Sequence, residues 1–112
     1  MKIYHNPRCS KSRNGLKYLE EKGCDFEVIK YLDKGITEKE LKDLIALTGQ
    51  KPFDFVRTQE KDYKELYKGK TLSDDEWIKV LADNPRLLHR PIVVNGDKAV
   101  LGNPPENIDS VL

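Results

Sequence analysis

Lys2-Ile3-Tyr4-His5, with Ile3 and Tyr4 between polar ends, predicts a short strand, and Asn6-Pro7-Arg8 breaks it. From Ser10 to Lys22 the pattern changes period. Leu16 and Leu19 fall on one helical face, and Gly23 supplies the stop. Phe26 to Tyr31 returns to strand-like composition. Strand, helix and strand at this spacing predict a right-handed βαβ unit whose two strands run parallel.

The middle of the chain is helical in pattern. Thr37-Glu38-Lys39-Glu40 reads as a capping box, with Ile36 and Leu41 placed for a hydrophobic staple. The helix it opens carries Leu41, Leu44, Ile45 and Thr48 on one face and stops at Gly49. Ser73-Asp74-Asp75-Glu76 repeats the device with Leu72 and Trp77, and its helix ends before Asn84-Pro85. Between them, residues 51–70 are polar and weakly helical around Asp62–Tyr67. Ile92-Val93-Val94, Asn95-Gly96 and Ala99-Val100-Leu101 predict a β-hairpin, and Glu106–Leu112 a last short helix. The order is β-α-β, a helical insertion over about 37–84, then β-β-α. That predicts an α/β protein with a mixed four-stranded sheet, the element order of the thioredoxin-like fold.

With 112 residues, the chain is expected to be one domain, residues 1–112. Twenty basic and nineteen acidic residues leave a net charge of +1, which argues against nucleic-acid binding through bulk charge. No apolar run approaches the ~20 residues of a membrane span, and no apolar leader follows Met1-Lys2. Two cysteines cannot make a disulfide framework, so a reducing, cytoplasmic location is expected.

Chemistry concentrates in His5-Asn6-Pro7-Arg8-Cys9-Ser10-Lys11-Ser12-Arg13. Cys9 falls in the turn between the first strand and the first helix. A thiol there meets the positive end of the helix dipole and free backbone N–H groups, and Arg8 and Arg13 add charge. These conditions lower a cysteine pKa and make a thiolate nucleophile. A lone cysteine is more commonly a small buried apolar residue, but flanks of Arg, Ser, Lys and Ser favour reactivity. Ser12 stands where a Cys-x-x-Cys pair would carry its second sulfur. Cys24 lies past the far end of a helix roughly 20 Å long at ~1.5 Å per residue, whereas a disulfide needs Cα atoms within ~7 Å. Any product formed on Cys9 therefore needs an outside thiol.

The chain has fifteen lysines and only five arginines: Arg8, Arg13, Arg57, Arg86 and Arg90. Lysine supplies the ordinary solvated surface. The planar fork of arginine suits bidentate binding of an oxyanion, although Arg57 or Arg90 taken alone is more readily read as a surface ion-pair partner, and only the Arg90-Pro91 context at a strand entry favours the other reading. His5 and His89 are too few and scattered for a metal site, and no metal or bound cofactor is expected. His5 is either an ordinary strand-end histidine or a group that helps hold the thiolate.

Asn6-Pro7-Arg8-Cys9-Ser10-Lys11-Ser12-Arg13 near one end and Arg90-Pro91-Ile92-Val93-Val94 near the other resemble the arsenate reductase family of the glutaredoxin-dependent type. The resemblance spans essentially the whole chain, including Arg57 ahead of Tyr63-Lys64-Glu65-Leu66 and the ending Leu101-Gly102-Asn103-Pro104-Pro105. It implies a monothiol oxidoreductase in which Cys9 attacks an oxyanion held by Arg57 and Arg90, with Ser12 and Arg13 beside them. It also implies that a cis Pro91 shapes the groove. Glutathione would be the co-substrate and glutaredoxin the partner that reduces the mixed disulfide. The substrate would be arsenate, another small oxyanion or a small thiol compound.

The arsenate-reducing members of this family carry a third arginine where this chain has Asn103. Asparagine donates a hydrogen bond but brings no charge, so weak arsenate reduction is expected. The same family includes Spx-type regulators that dock on RNA polymerase without turnover, which is the alternative reading. Ser12 speaks against a disulfide switch of that kind and leaves polymerase binding open.

Overall fold

In the computed structural model, which describes residues 1–112, a four-stranded mixed sheet has the order β2-β1-β3-β4. Strand β1 is Lys2–Tyr4, β2 is Glu27–Ile29, β3 is Ile92–Asn95 and β4 is Lys98–Leu101. Strand β1 runs parallel to β2 and antiparallel to β3, and β3 pairs antiparallel with β4. This is the expected thioredoxin-like arrangement. Helix α1 spans Ser10–Glu21, α2 Tyr31–Lys34, α3 Glu38–Thr48, α4 Lys61–Leu66 and α5 Asp74–Asp83.

Successive strand residues point to opposite faces, and this divides the core in two. Ile3 and its partner Val93 pack with Leu19 of α1 and with Ile108 and Val111. Tyr4 and its partner Ile92 face the larger cluster built by α3, α5 and the insertion, with Leu41, Ile45, Trp77 and Leu81. The insertion thus caps one face while α1 and the C-terminal turn cap the other. No helix is long and apolar enough to cross a membrane.

Several elements depart from expectation for identifiable reasons. Strand β2 stops at Ile29 instead of Tyr31, because the chain turns at Lys30 into the one-turn helix α2 and drives Tyr31 fully into the core. Gly35, at φ +83°, ends that turn. The first capping box is only half formed. Thr37 Oγ1 accepts from Glu40 N–H at 3.1 Å, but the Glu40 carboxylate accepts from Tyr4 Oη at 2.9 Å instead of reaching back. Docking of α3 on the sheet redirects it. The second box is complete, with Ser73 and Glu76 bonded reciprocally at 2.9 and 3.2 Å. In the hairpin Asn95 pairs with Lys98, so the turn residues are Gly96-Asp97. Pro105–Val111 forms a 3-10 turn in place of a short α-helix.

Two glycines let the sheet, α1 and the Arg90-Pro91 segment close on one another. A Cβ on Gly15, within α1, would sit 2.5 Å from Pro91 Cγ, and one on Gly102 would sit 3.1 Å from the same atom. Alanine at an ordinary helix position gains up to about 1 kcal/mol over glycine. At position 15 overpacking of about 1–3 kcal/mol opposes and exceeds that gain. Gly15→Ala is therefore expected to lower the urea midpoint, whereas alanine at an exposed position of the same helix, Asn14→Ala, leaves it unchanged or raises it. A Gly15→Ala protein as stable as wild type would show that Pro91 moves freely.

Candidate active site

The loop from His5 to Arg8 is held by its own hydrogen bonds. Ser12 Oγ is fully buried, accepts from Asn6 N–H at 3.0 Å and meets His5 Nδ1 at 2.7 Å. Burial of the His5 ring, with Lys30 and Arg13 nearby, holds its pKa below the ordinary histidine value. For a neutral ring the assignment that satisfies both groups has the Ser12 hydroxyl donating to Nδ1. Arg8 N–H donates to Asn6 Oδ1 at 3.0 Å, Cys9 N–H to the Asn6 carbonyl at 3.1 Å, and Arg13 Nη1 to the Pro7 carbonyl at 2.9 Å. The loop delivers Cys9, partly exposed, as the N-cap of α1.

Partial burial pushes the Cys9 thiol up, but the backbone N–H of Ser12, the Arg90 guanidinium and the backbone N–H of Lys11 outweigh it, and the net pKa is lowered. The helix-end contribution is the one that the sequence implied. The arginine is not. Arg8 and Arg13 are exposed, and Arg13 is occupied with the loop carbonyl of Pro7. Ser12 likewise acts on Cys9 through its N–H, while its hydroxyl is committed to His5 and Asn6. Neither the Ser12 side chain nor Arg13 is presented to a ligand in the expected way.

Arg57 and Arg90 are brought together by backbone pairing. Val56 and Leu88 form an isolated antiparallel bridge. Around it Arg57 N–H donates to the Leu87 carbonyl at 2.7 Å and His89 N–H to the Phe55 carbonyl at 2.8 Å. Two segments more than thirty residues apart in sequence are thereby locked side by side. Arg57 is largely buried and bonds Glu60 through Nη2 at 3.2 Å. Arg90 Nη1 donates to the carbonyls of Arg86 at 3.0 Å and Leu88 at 3.4 Å. The Arg90–Pro91 and Asn103–Pro104 peptide bonds are both cis, the first as the resemblance implied. Gly102 N–H donates to the Pro91 carbonyl at 2.8 Å, which sets Asn103 beside the Arg90-Pro91 turn.

Two further groups border this place, and neither is a site residue by its local sequence. Tyr31 is completely buried, and its hydroxyl lies among Arg90, Cys9 and Arg57. Burial pushes its pKa up to about 12, against the pull of the arginines. The misplaced end of β2 concealed it. His89 is half-buried and held below the ordinary histidine pKa by burial and by the neighbouring Arg57, Lys11 and Arg90. No local pattern in the sequence marks it.

Cys24 lies beyond the C-terminal end of the twelve-residue α1 and packs on the small apolar cluster. Both cysteines are free thiols. No group of three or more His, Cys, Asp or Glu side chains converges as a metal site would require. Next to the cysteine loop opens a cavity of about 840 Å³, bordered by Pro7, Arg8 and Arg90 and lined by cations and carboxylates together, among them Lys30, Arg86, Asp33 and Asp62.

Residues 4–111 match the ArsC family. An arsenate reductase of Neisseria meningitidis is 46% identical over 114 residues, covering 100% of this chain and 97% of that protein. An arsenate reductase of Haemophilus influenzae is 41% identical over 98% of this chain and 97% of its own length. Among solved structures, an arsenate reductase from Vibrio cholerae superposes with a TM-score of 0.93 at 43% identity, covering 100% of this chain and 98% of that one.

Proposed function

The chain belongs to the ArsC family and is a thiol-dependent oxidoreductase; from that premise we propose that Cys9 is its nucleophile and that it reduces a small oxyanion with glutathione and glutaredoxin. The observation that carries the reading is a thiol of lowered pKa at the start of α1, beside Arg90, with its only other cysteine at the far end of the helix.

For arsenate, the Cys9 thiolate attacks arsenic and one oxygen leaves as hydroxide, forming a sulfur–arsenic bond. Glutathione thiolate then attacks Cys9 Sγ. The sulfur–arsenic bond breaks, its electron pair stays on arsenic, and arsenite departs as As(III). The two thiols have given two electrons and are joined as a mixed disulfide. A glutaredoxin thiol attacks the glutathione sulfur and returns Cys9 as thiolate. Arg57 and Arg90 meet the negative charge of the oxygens, a use for which the arginine fork is suited.

The charged cavity beside the loop supports a tripeptide thiol as co-substrate. Its cations complement carboxylates, and its carboxylates complement an α-ammonium group. A cytoplasmic location belongs to the same proposal, since free thiols of this kind persist in reducing compartments.

Asn103 sets the expected efficiency. It stands next to the Arg90-Pro91 turn without a charge to offer. The deciding experiment follows arsenite release with glutathione and glutaredoxin for wild type and Asn103→Arg. Wild type is expected to turn over slowly, and the variant to gain at least about tenfold in kcat/KM, equivalent to ~1.4 kcal/mol at the transition state. Brisk wild-type turnover with no gain in the variant would show that a third arginine is dispensable. No reduction by either protein would overturn arsenate as a substrate.

A further inference from the structure

We propose that the Tyr31 hydroxyl is a third hydrogen-bond donor to the oxyanion, completing with Arg57 and Arg90 the cradle in front of Cys9. This rests on the oxyanion-binding reading given above and adds a residue to it.

Buried polar atoms in folded proteins are almost always hydrogen-bonded, so each exception points to something that belongs there. Three buried side-chain polar atoms in this protein have no partner: Tyr31 Oη, Arg57 Nε and Arg90 Nε. They come from α2, from the segment after the Pro52–Phe55 3-10 turn and from the segment before β3, remote stretches of sequence. Tyr31, with no accessible surface at all, nonetheless shares its surroundings with Arg57, Arg90 and the Cys9 sulfur. Three unpartnered donors at one place, beside a thiolate, describe a site for an acceptor with several oxygens.

The tyrosine ring is packed among the apolar side chains of the larger core, so only the hydroxyl faces the polar group. Burial keeps the phenol protonated at neutral pH, and it therefore remains a donor. It brings no charge, unlike an arginine, but it is fixed in place by its buried ring and needs no reorganisation when charge builds on the oxygens. The groups that chiefly lower the Cys9 pKa are the N–H groups of Ser12 and Lys11 and the Arg90 guanidinium. The Tyr31 hydroxyl has no hydrogen-bond partner within the protein, the sulfur included, and is left to meet the anion.

The test compares wild type with Tyr31→Phe by the rate of Cys9 alkylation with iodoacetamide, with and without arsenate. Phenylalanine keeps the ring in the core and removes an unpaired buried hydroxyl, so the thermal midpoint is expected to stay or rise. The pH midpoint of alkylation without arsenate is expected to match wild type. The arsenate concentration that halves the rate is expected to rise about tenfold, as for the loss of one hydrogen bond to a charged group. An unchanged half-protection concentration would overturn the proposal while leaving the oxyanion reading in place. A raised alkylation midpoint would assign the hydroxyl to the sulfur and overturn it too. So would a fall in thermal midpoint that tracks the loss of protection, because the role would then be structural. Failure of arsenate to protect wild type would overturn the oxyanion reading, and this one with it.

Discussion

Cys9→Ser is expected to abolish turnover, with a fall of at least about a thousandfold in kcat and little change in thermal midpoint on the acid side of the thiol's titration. A serine hydroxyl at the same N-cap meets the same Ser12 and Lys11 N–H groups, but it does not ionise near neutral pH and has no sulfur on which to carry a mixed disulfide. The fold has no reason to notice, since Cys9 is only partly buried and its side chain makes no cap bond. In wild type, mild oxidation with glutathione is expected to yield one adduct, on Cys9, by mass spectrometry. Cys24→Ser should form the same adduct and keep full turnover. Substantial activity in Cys9→Ser, or a Cys9–Cys24 disulfide in folded wild type, would defeat the assignment. The alkylation rate should also titrate with a midpoint below that of an ordinary cysteine. The folded pKa lies below the unfolded one, so this thiolate contributes stability above the unfolded value. That contribution is lost as pH falls through the folded pKa.

The parts of this site that were legible in sequence are those set by local rules. Asn6-Pro7 after a short strand pattern, and a helix pattern from Ser10, are enough to place Cys9 at a helix start, where the N–H groups lower its pKa. The strand order followed from element order, and the Ser73-Glu76 box is made as its spacing implied. What failed was decided by distant partners. Glu40 has the right spacing for its cap and leaves it for Tyr4, thirty-six residues away. Tyr31 looks like the last residue of a β strand by composition, and only the packing of α2 turns it inward. Arg8 and Arg13 are near Cys9 in sequence, yet both are exposed and Arg13 is bonded to the Pro7 carbonyl. Arg90, eighty-one positions on, is the arginine that reaches the thiol. Proximity in sequence is a poor guide to electrostatics wherever the chain folds back, and the Val56–Leu88 bridge that aligns Arg57 with Arg90 leaves no local signature.

Arg90→Ala should produce the second large effect, and it should differ in kind from Arg57→Ala. Arg90 acts on two things at once. It helps to lower the Cys9 pKa, and its Nε has no partner in the protein, which on the proposed reading leaves it to the anion. Removing it is expected to cost roughly 10²–10³-fold in kcat/KM, the usual loss for one preorganised donor at a developing oxyanion, and to raise the alkylation midpoint toward that of an ordinary thiol. Arg57 is tied to Glu60 and is not among the groups that chiefly lower the Cys9 pKa, so Arg57→Ala should lower kcat/KM and move the midpoint far less than Arg90→Ala does. Arg90→Lys separates the two contributions. An ammonium restores positive charge near the sulfur and hence part of the midpoint shift, but it lacks the planar fork, so most of the loss in kcat/KM should remain. If Arg57→Ala and Arg90→Ala moved the midpoint equally, the thiolate would be responding to net charge in the pocket and not to a specific neighbour. If Arg90→Lys restored full turnover, the site would need a charge there and not a directed donor, and the bidentate account of Arg90 would have to be given up.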